Sequence, residues 1–110
     1  MNPWASWCGP CRVEFPFLQA QALKRRGKVL FLGVNSRDST DEARKFLSCS
    51  PTSFAHVADP DAKVAREFRG GRAWPTTAFY DGAGRLNYTM QGSYRSERAL
   101  AADIDRYATP

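Results

Sequence analysis

Two cysteines separated by a Gly-Pro pair, Cys8-Gly9-Pro10-Cys11, lie between a short apolar segment and a stretch whose apolar side chains recur at helical spacing. A C-x-x-C pair at a strand-to-helix junction is a tight constraint on the fold. It puts the first sulfur at a helix N-terminus and the second one turn further along the same face. Unpaired backbone amides and the positive end of the helix dipole stabilise a thiolate there, so Cys8 is expected to be the attacking sulfur, with a pKa below that of an ordinary cysteine. Cys11 is then close enough to attack a mixed disulfide on Cys8 and release the reduced partner. Pro10 falls in the first helical turn, where its missing N–H costs little.

Other uses of such a pair are less well supported. C-x-x-C supplies half of many zinc sites, but the remaining soft ligands, Cys49 and His56, have a spacing that matches no common finger. No metal is therefore expected. A purely structural bridge over so short a loop would constrain the unfolded chain very little. Three cysteines are also too few, and odd in number, for a disulfide-stapled mini-protein.

The chain has 110 residues, 43% of them apolar, 13% aromatic and 25% charged, which suits a single soluble domain spanning 1–110 and excludes a disordered tail. A monomer is expected. No apolar run is longer than Val29 to Leu32, far short of the ~20 residues that span a bilayer. Met1 precedes Cys8 by seven residues, which leaves no room for a signal peptide, an anchor or a full strand, so any membrane link is expected through a segment absent from this chain. The net charge of +5 comes from scattered basic residues, apart from Lys24-Arg25-Arg26. Followed by Gly27, that cluster reads as a helix C-terminus, and it is too short for the basic stripe of a nucleic-acid binder; no nucleic-acid partner is expected.

Along the chain, Val13, Phe17, Leu18, Ala20, Ala22 and Leu23 predict a helix over 9–26, kinked at Pro16. Lys28-Val-Leu-Phe-Leu-Gly-Val-Asn35 is continuously apolar, as a strand covered on both faces would be. Ser39 or Thr40 caps a helix to about Ser48, a short strand is possible over 54–57, and Asp59-Pro60 introduces a third helix, Ala62 to Phe68, before a break at Gly70-Gly71. Thr76–Tyr80 and Leu86–Gln91 are joined by Asp81-Gly-Ala-Gly-Arg85 and predict an antiparallel hairpin; Ser96 caps a last helix to about Tyr107. The order is that of an α/β domain with a mixed sheet.

The segment Trp4-Ala-Ser-Trp-Cys-Gly-Pro-Cys-Arg-Val-Glu-Phe-Pro16 resembles the active-site segment of thioredoxin-fold thiol-disulfide oxidoreductases of the TlpA/ResA kind, relatives of the AhpC/TSA redoxins. Trp74-Pro75-Thr76-Thr77 resembles that family's cis-proline loop, and Asp59–Ala65, Asp81–Arg85 and Gly92 also fall in family order. The resemblance covers essentially the whole chain. It implies a thioredoxin-like three-layer α/β/α fold around a central mixed sheet, with the N-terminal strand elements missing or shortened. It also implies Cys8 as nucleophile, Cys11 as resolving thiol and Pro75 as the cis-proline, with Trp7, Gly9, Pro10, Trp74 and Thr76 lining the substrate groove. The expected partners are protein disulfides and an upstream thiol donor, with no cofactor beyond the Cys8–Cys11 disulfide. An extracytoplasmic or membrane-tethered location is implied as well, for instance in cytochrome c maturation, although the chain itself shows no export signal.

Glu14 stands three residues after Cys11, where this group is proposed to keep a proton acceptor, while Asn2 falls where thioredoxin itself has a buried aspartate. A partly buried Glu14 would have a raised pKa and serve as base for Cys11; a solvated Glu14 would only complement the helix dipole. Pro3 departs from the pattern, because a proline inside a central strand removes a ladder donor. Cys49 is expected to be packed and His56 structural, and Trp4, Phe15, Phe17, Phe31 and Phe79 to be core or groove lining. Asn87-Tyr88-Thr89 matches a glycosylation acceptor but falls within a predicted strand. Two rival readings are a peroxiredoxin-like peroxidase, which would act through a sulfenic acid, and a truncated, inert interaction domain.

Overall fold

In the computed structural model, residues 1–67 and 74–108 are described. The elements are β1 (Asn2–Trp4), α1 (Gly9–Lys24), β2 (Leu32–Ser36), α2 (Thr40–Cys49), β3 (Ala55–Asp59), α3 (Lys63–Arg66), β4 (Thr76–Tyr80), β5 (Leu86–Gln91) and α4 (Glu97–Tyr107). Strands β1, β2 and β3 are parallel, with Pro3 opposite Val34 and Val34 opposite Val57. Strands β4 and β5 form the antiparallel hairpin. Met1 joins the two groups: its nitrogen donates to the Ala78 carbonyl and its carbonyl accepts from the Ala78 N–H, both at 2.7 Å. Such an exchange marks an antiparallel pair, so the sheet is mixed, in the order β3-β2-β1-β4-β5.

Adjacent residues on β4 point to opposite faces and start two cores. Phe79 belongs to the larger cluster, together with Trp4 of β1, Phe15 and Leu18 of α1, Phe46 of α2 and Leu100 and Ile104 of α4. Ala78 pairs with Val34 in the smaller one. Trp4 sets the centre of the larger cluster, with Phe15 edge-on at 5.1 Å and Phe46 at 5.0 Å between ring centroids. The basic run at the end of α1 ties that helix to α4: Lys24 meets Glu97 and Arg25 meets Asp105, each at 2.6 Å.

His56 on β3 is structural. Thr52 Oγ1 gives its hydrogen to the Phe54 carbonyl at 3.0 Å, so it accepts from His56 Nε2 at 2.8 Å and leaves Nδ1 to accept from Trp4 Nε1 at 3.0 Å. Burial lowers the pKa of this neutral imidazole to about 4.

The structure corrects several expectations. The buried stripe of α1 is Cys11, Glu14, Phe15, Leu18, Gln21 and Ala22, while Val13 and Leu23 are exposed. A hydrophobicity count sets the wrong phase here because two members of the stripe are polar. The helix ends at Lys24 and continues through Pro16, which faces solvent. Strand β2 starts at Leu32 rather than Lys28, because β1 begins opposite Gly33 and gives 28–31 no partner on that side. Strand β3 is Ala55–Asp59 rather than 54–57, and α3 begins one residue later than expected, after Ala62 in a left-handed conformation. Its expected end at Phe68 and the break at Gly70-Gly71 lie outside the described residues. Cys49, the last residue of α2, is exposed, not packed. The hairpin and α4 fall where the sequence places them.

Candidate active site

The last residue before α1 is Cys8, whose sulfur accepts from the Cys11 N–H at 3.2 Å and so caps the helix. Cys8 and Cys11 form a disulfide with Cα atoms 5.3 Å apart. Cys11 is fully buried and Cys8 nearly so, whereas Trp7, Gly9 and Pro10 around them are exposed. The segment leading into the helix is fixed by Asp38, which accepts from the Ser6 N–H at 2.7 Å and the Ser6 hydroxyl at 2.8 Å. Those bonds, with others from Asn35 and Ser39, hold the Asp38 carboxyl below its usual pKa despite the opposing effect of desolvation.

The Trp74–Pro75 bond is cis, and Pro75 is buried. Its carbonyl accepts from the Gly92 N–H at 2.9 Å, which a φ of +89° at that glycine allows. Trp74 stacks on Trp7 with centroids 6.3 Å apart, while Trp7 Nε1 donates to the Arg37 carbonyl at 2.8 Å. One aromatic face thus spans the cysteine loop and the cis-proline loop. Thr76 begins β4 and is buried. The structure therefore brings Trp7, Cys8 and Cys11 together with Trp74.

Glu14 lies one turn past Cys11 on the buried stripe and has no exposed surface. Oε1 accepts from Asn2 Nδ2 at 3.0 Å and Oε2 from the Tyr94 N–H at 2.8 Å. Desolvation raises its pKa from the ordinary 4.5 to about 7, against the lowering pull of the Tyr94 and Asn2 hydrogen bonds. A carboxyl balanced near neutrality can take or release a proton under physiological conditions. The sequence marks Asn2 only as the residue that falls where thioredoxin itself has a buried aspartate. Its three acceptors, Glu14 Oε1, the Thr76 carbonyl at 2.9 Å and Thr77 Oγ1 at 3.3 Å, come from two distant parts of the chain that no local pattern links.

A cavity of about 630 Å³ lies elsewhere: it opens past the start of β1, between residues 28–32 and 77–82. Neither cysteine lines it. No group of three metal-ligating side chains occurs among the described residues.

The pattern of the AhpC/TSA family matches residues 1–89. The chain belongs to that family. It is 41% identical over 106 residues to the thiol:disulfide interchange protein HelX of Rhodobacter capsulatus, a match covering 96% of this chain and 57% of the relative. A DsbE homologue from Paracoccus denitrificans is 36% identical, with 94% of this chain and 62% of that one covered. A protein assigned as the thiol:disulfide interchange protein DsbE of Chlorobium tepidum superposes with a TM-score of 0.86 at 30% identity, over 96% of this chain and 75% of that chain. The fold is thioredoxin-like, as the motifs imply. The chain spans about 57% of the length of the HelX relative. Among the described residues, no helix is long and apolar enough to cross a membrane.

Proposed function

We propose that this chain is a thiol-disulfide oxidoreductase that reduces disulfides in protein substrates. The observation that carries this reading is the Cys8–Cys11 disulfide at the N-terminus of α1, with the buried Glu14 carboxyl one turn behind it. In the reduced form, the Cys8 thiolate attacks one sulfur of the substrate disulfide, and the other sulfur leaves as a thiolate that takes up a proton. Cys11 then gives its proton to Glu14 and attacks Cys8 Sγ, which closes the Cys8–Cys11 disulfide and expels the second substrate thiolate. Two electrons pass from the cysteine pair to the substrate, and an upstream dithiol donor restores them by the reverse exchange. The Trp7–Trp74 face and the Pro75 loop supply the docking surface for an extended substrate segment.

The relatives are thiol:disulfide interchange proteins, which supports the reading; a place outside the cytoplasm, with cytochrome c maturation as one setting, goes with it. Reduction of a model protein disulfide with dithiothreitol as donor tests it. Wild type is expected to turn over, and Cys8→Ser to fall to the uncatalysed rate; equal activity in the two sinks the assignment. Peroxide consumption by the same preparation is expected at background, since the exchange passes through no sulfenic acid.

A further inference from the structure

Pro3 is the residue that fits the pattern least, and its neighbour explains how the sheet accommodates it. Backbone polar groups on a strand alternate in direction, so Met1, which pairs with Ala78, and Pro3 both face β4. The antiparallel register then sets Pro3 opposite Thr76, and proline has no N–H to offer there. At that position the Thr76 carbonyl accepts from Asn2 Nδ2 at 2.9 Å. The amide has two hydrogens, and its other close acceptor is Glu14 Oε1 at 3.0 Å. Asn2 is 4% exposed and Glu14 and Thr76 are at most 1% exposed, so solvent cannot substitute for either bond.

We propose that Asn2 is the positioning residue of the Glu14 carboxyl, bridging it to the strand that carries Pro75, and that this bridge uses the ladder position Pro3 leaves without a donor. The proposal rests on the reading of Glu14 as the proton acceptor for Cys11. Asn2 touches neither sulfur; it acts by holding one carboxylate oxygen while the Tyr94 N–H holds the other. A bond to the charged carboxylate favours ionisation, so Asn2 keeps Glu14 from being locked in its protonated form by burial. It also makes the carboxyl sensitive to movement of the Pro75 loop, because the same amide nitrogen is anchored on Thr76. The ionisable groups around Glu14 are Cys11 on its own helix and, beside α4, the Tyr94 phenol, which donates to Asp103 at 2.6 Å. In the oxidised protein Cys11 does not titrate, and burial and Asp103 push the Tyr94 phenol well above its ordinary range. Glu14 can then be followed alone.

The test is carbon NMR titration of the Glu14 carboxyl in the oxidised protein, together with the pH profile of mixed-disulfide resolution in the reduced protein. Asn2→Ala removes a hydrogen bond to the charged form, so the Glu14 midpoint is expected to rise by about one pH unit. Asn2→Asp, nearly the same shape, puts a second carboxyl beside the first; the pair is expected to share a proton and titrate in two separated steps. An unchanged Glu14 midpoint in a folded Asn2→Ala protein, or a single unshifted step in Asn2→Asp, overturns the proposal. If Asn2→Ala does not fold, the Asp variant alone decides. A shifted carboxyl with an unmoved resolution profile leaves Asn2 as the positioning residue and instead removes Glu14 from the proton transfer.

Discussion

Glu14 was legible as a candidate because its distance from the second cysteine is fixed in sequence, and helix geometry turns that distance into one turn. Its burial was not legible from composition, since an acid on a helix is ordinarily solvated. It follows from the phase of α1, where Cys11, Phe15 and Leu18 define a stripe that passes through Glu14. Asn2 shows the limit in the other direction: its partners sit 12 to 75 residues away, so only the folded chain reveals them. The shared amide makes a double-mutant cycle informative. Asn2→Ala alone is expected to cost about 2 kcal/mol, since it withdraws donors from two buried oxygens. Pro3→Ala restores a backbone N–H opposite Thr76. In that background the cost of Asn2→Ala is expected to shrink by about 1 kcal/mol, read from urea denaturation of the four proteins. Additive free energies would show that Asn2 and Pro3 do not share the Thr76 carbonyl.

At the level of elements, capped helices and the hairpin were readable because their signals are local: Ser39 and Ser96 each accept from the amide three residues on, and Asp81 organises the turn before β5. Strand β2 was read four residues too long because an apolar run reports burial, whereas a ladder needs a neighbour at each position. The glycine in the same run carries information that a pattern cannot supply. A Cβ on Gly33 would come within 1.9 Å of His56 Nδ1, and that ring is held by Trp4 on one nitrogen and Thr52 on the other. The ring therefore has no cheap retreat. Gly33→Ala is expected to destabilise the protein by about 2–4 kcal/mol, from overpacking and loss of the Trp4–His56 bond. Thermal denaturation checks the size, and Trp4 indole N–H exchange checks the cause; a fast-exchanging indole with native backbone protection elsewhere is the expected signature. A Gly33→Ala protein as stable as wild type would mean that His56 moves freely.

Across the whole molecule, the buried Glu14 carboxyl and the half-buried His56 imidazole act on stability with opposite sign. Glu14 has a pKa raised from 4.5 to about 7 by desolvation, so its protonated form favours the folded state. That contribution is full below pH 4.5 and is lost as pH rises through 7. His56 has a pKa lowered by burial from 6.5 to about 4, so its neutral form favours folding; this contribution is full above pH 6.5 and is lost as pH falls through 4. Between pH 4.5 and 6.5 the two slopes oppose each other, and substitution separates them. Glu14→Gln removes the first slope while keeping the size of the side chain. Glutamine also sets an amide donor against either Asn2 Nδ2 or the Tyr94 N–H, but that penalty does not vary with pH, so the slope isolates the titration. The stability of Glu14→Gln relative to wild type, both oxidised, is expected to improve by about 3 kcal/mol between pH 4.5 and 7, from the displacement of this one fully buried group. His56 is partly exposed, so its slope should be shallower; in the variant it remains together with that of the Met1 amino group, whose pKa burial lowers from 8.0 to about 5, so stability should rise from pH 4 to 8. Urea midpoints at half-unit intervals measure both curves. Parallel curves would mean that the Glu14 carboxyl has the same proton affinity folded and unfolded, which would remove the basis for the proposed proton exchange with Cys11 near neutral pH.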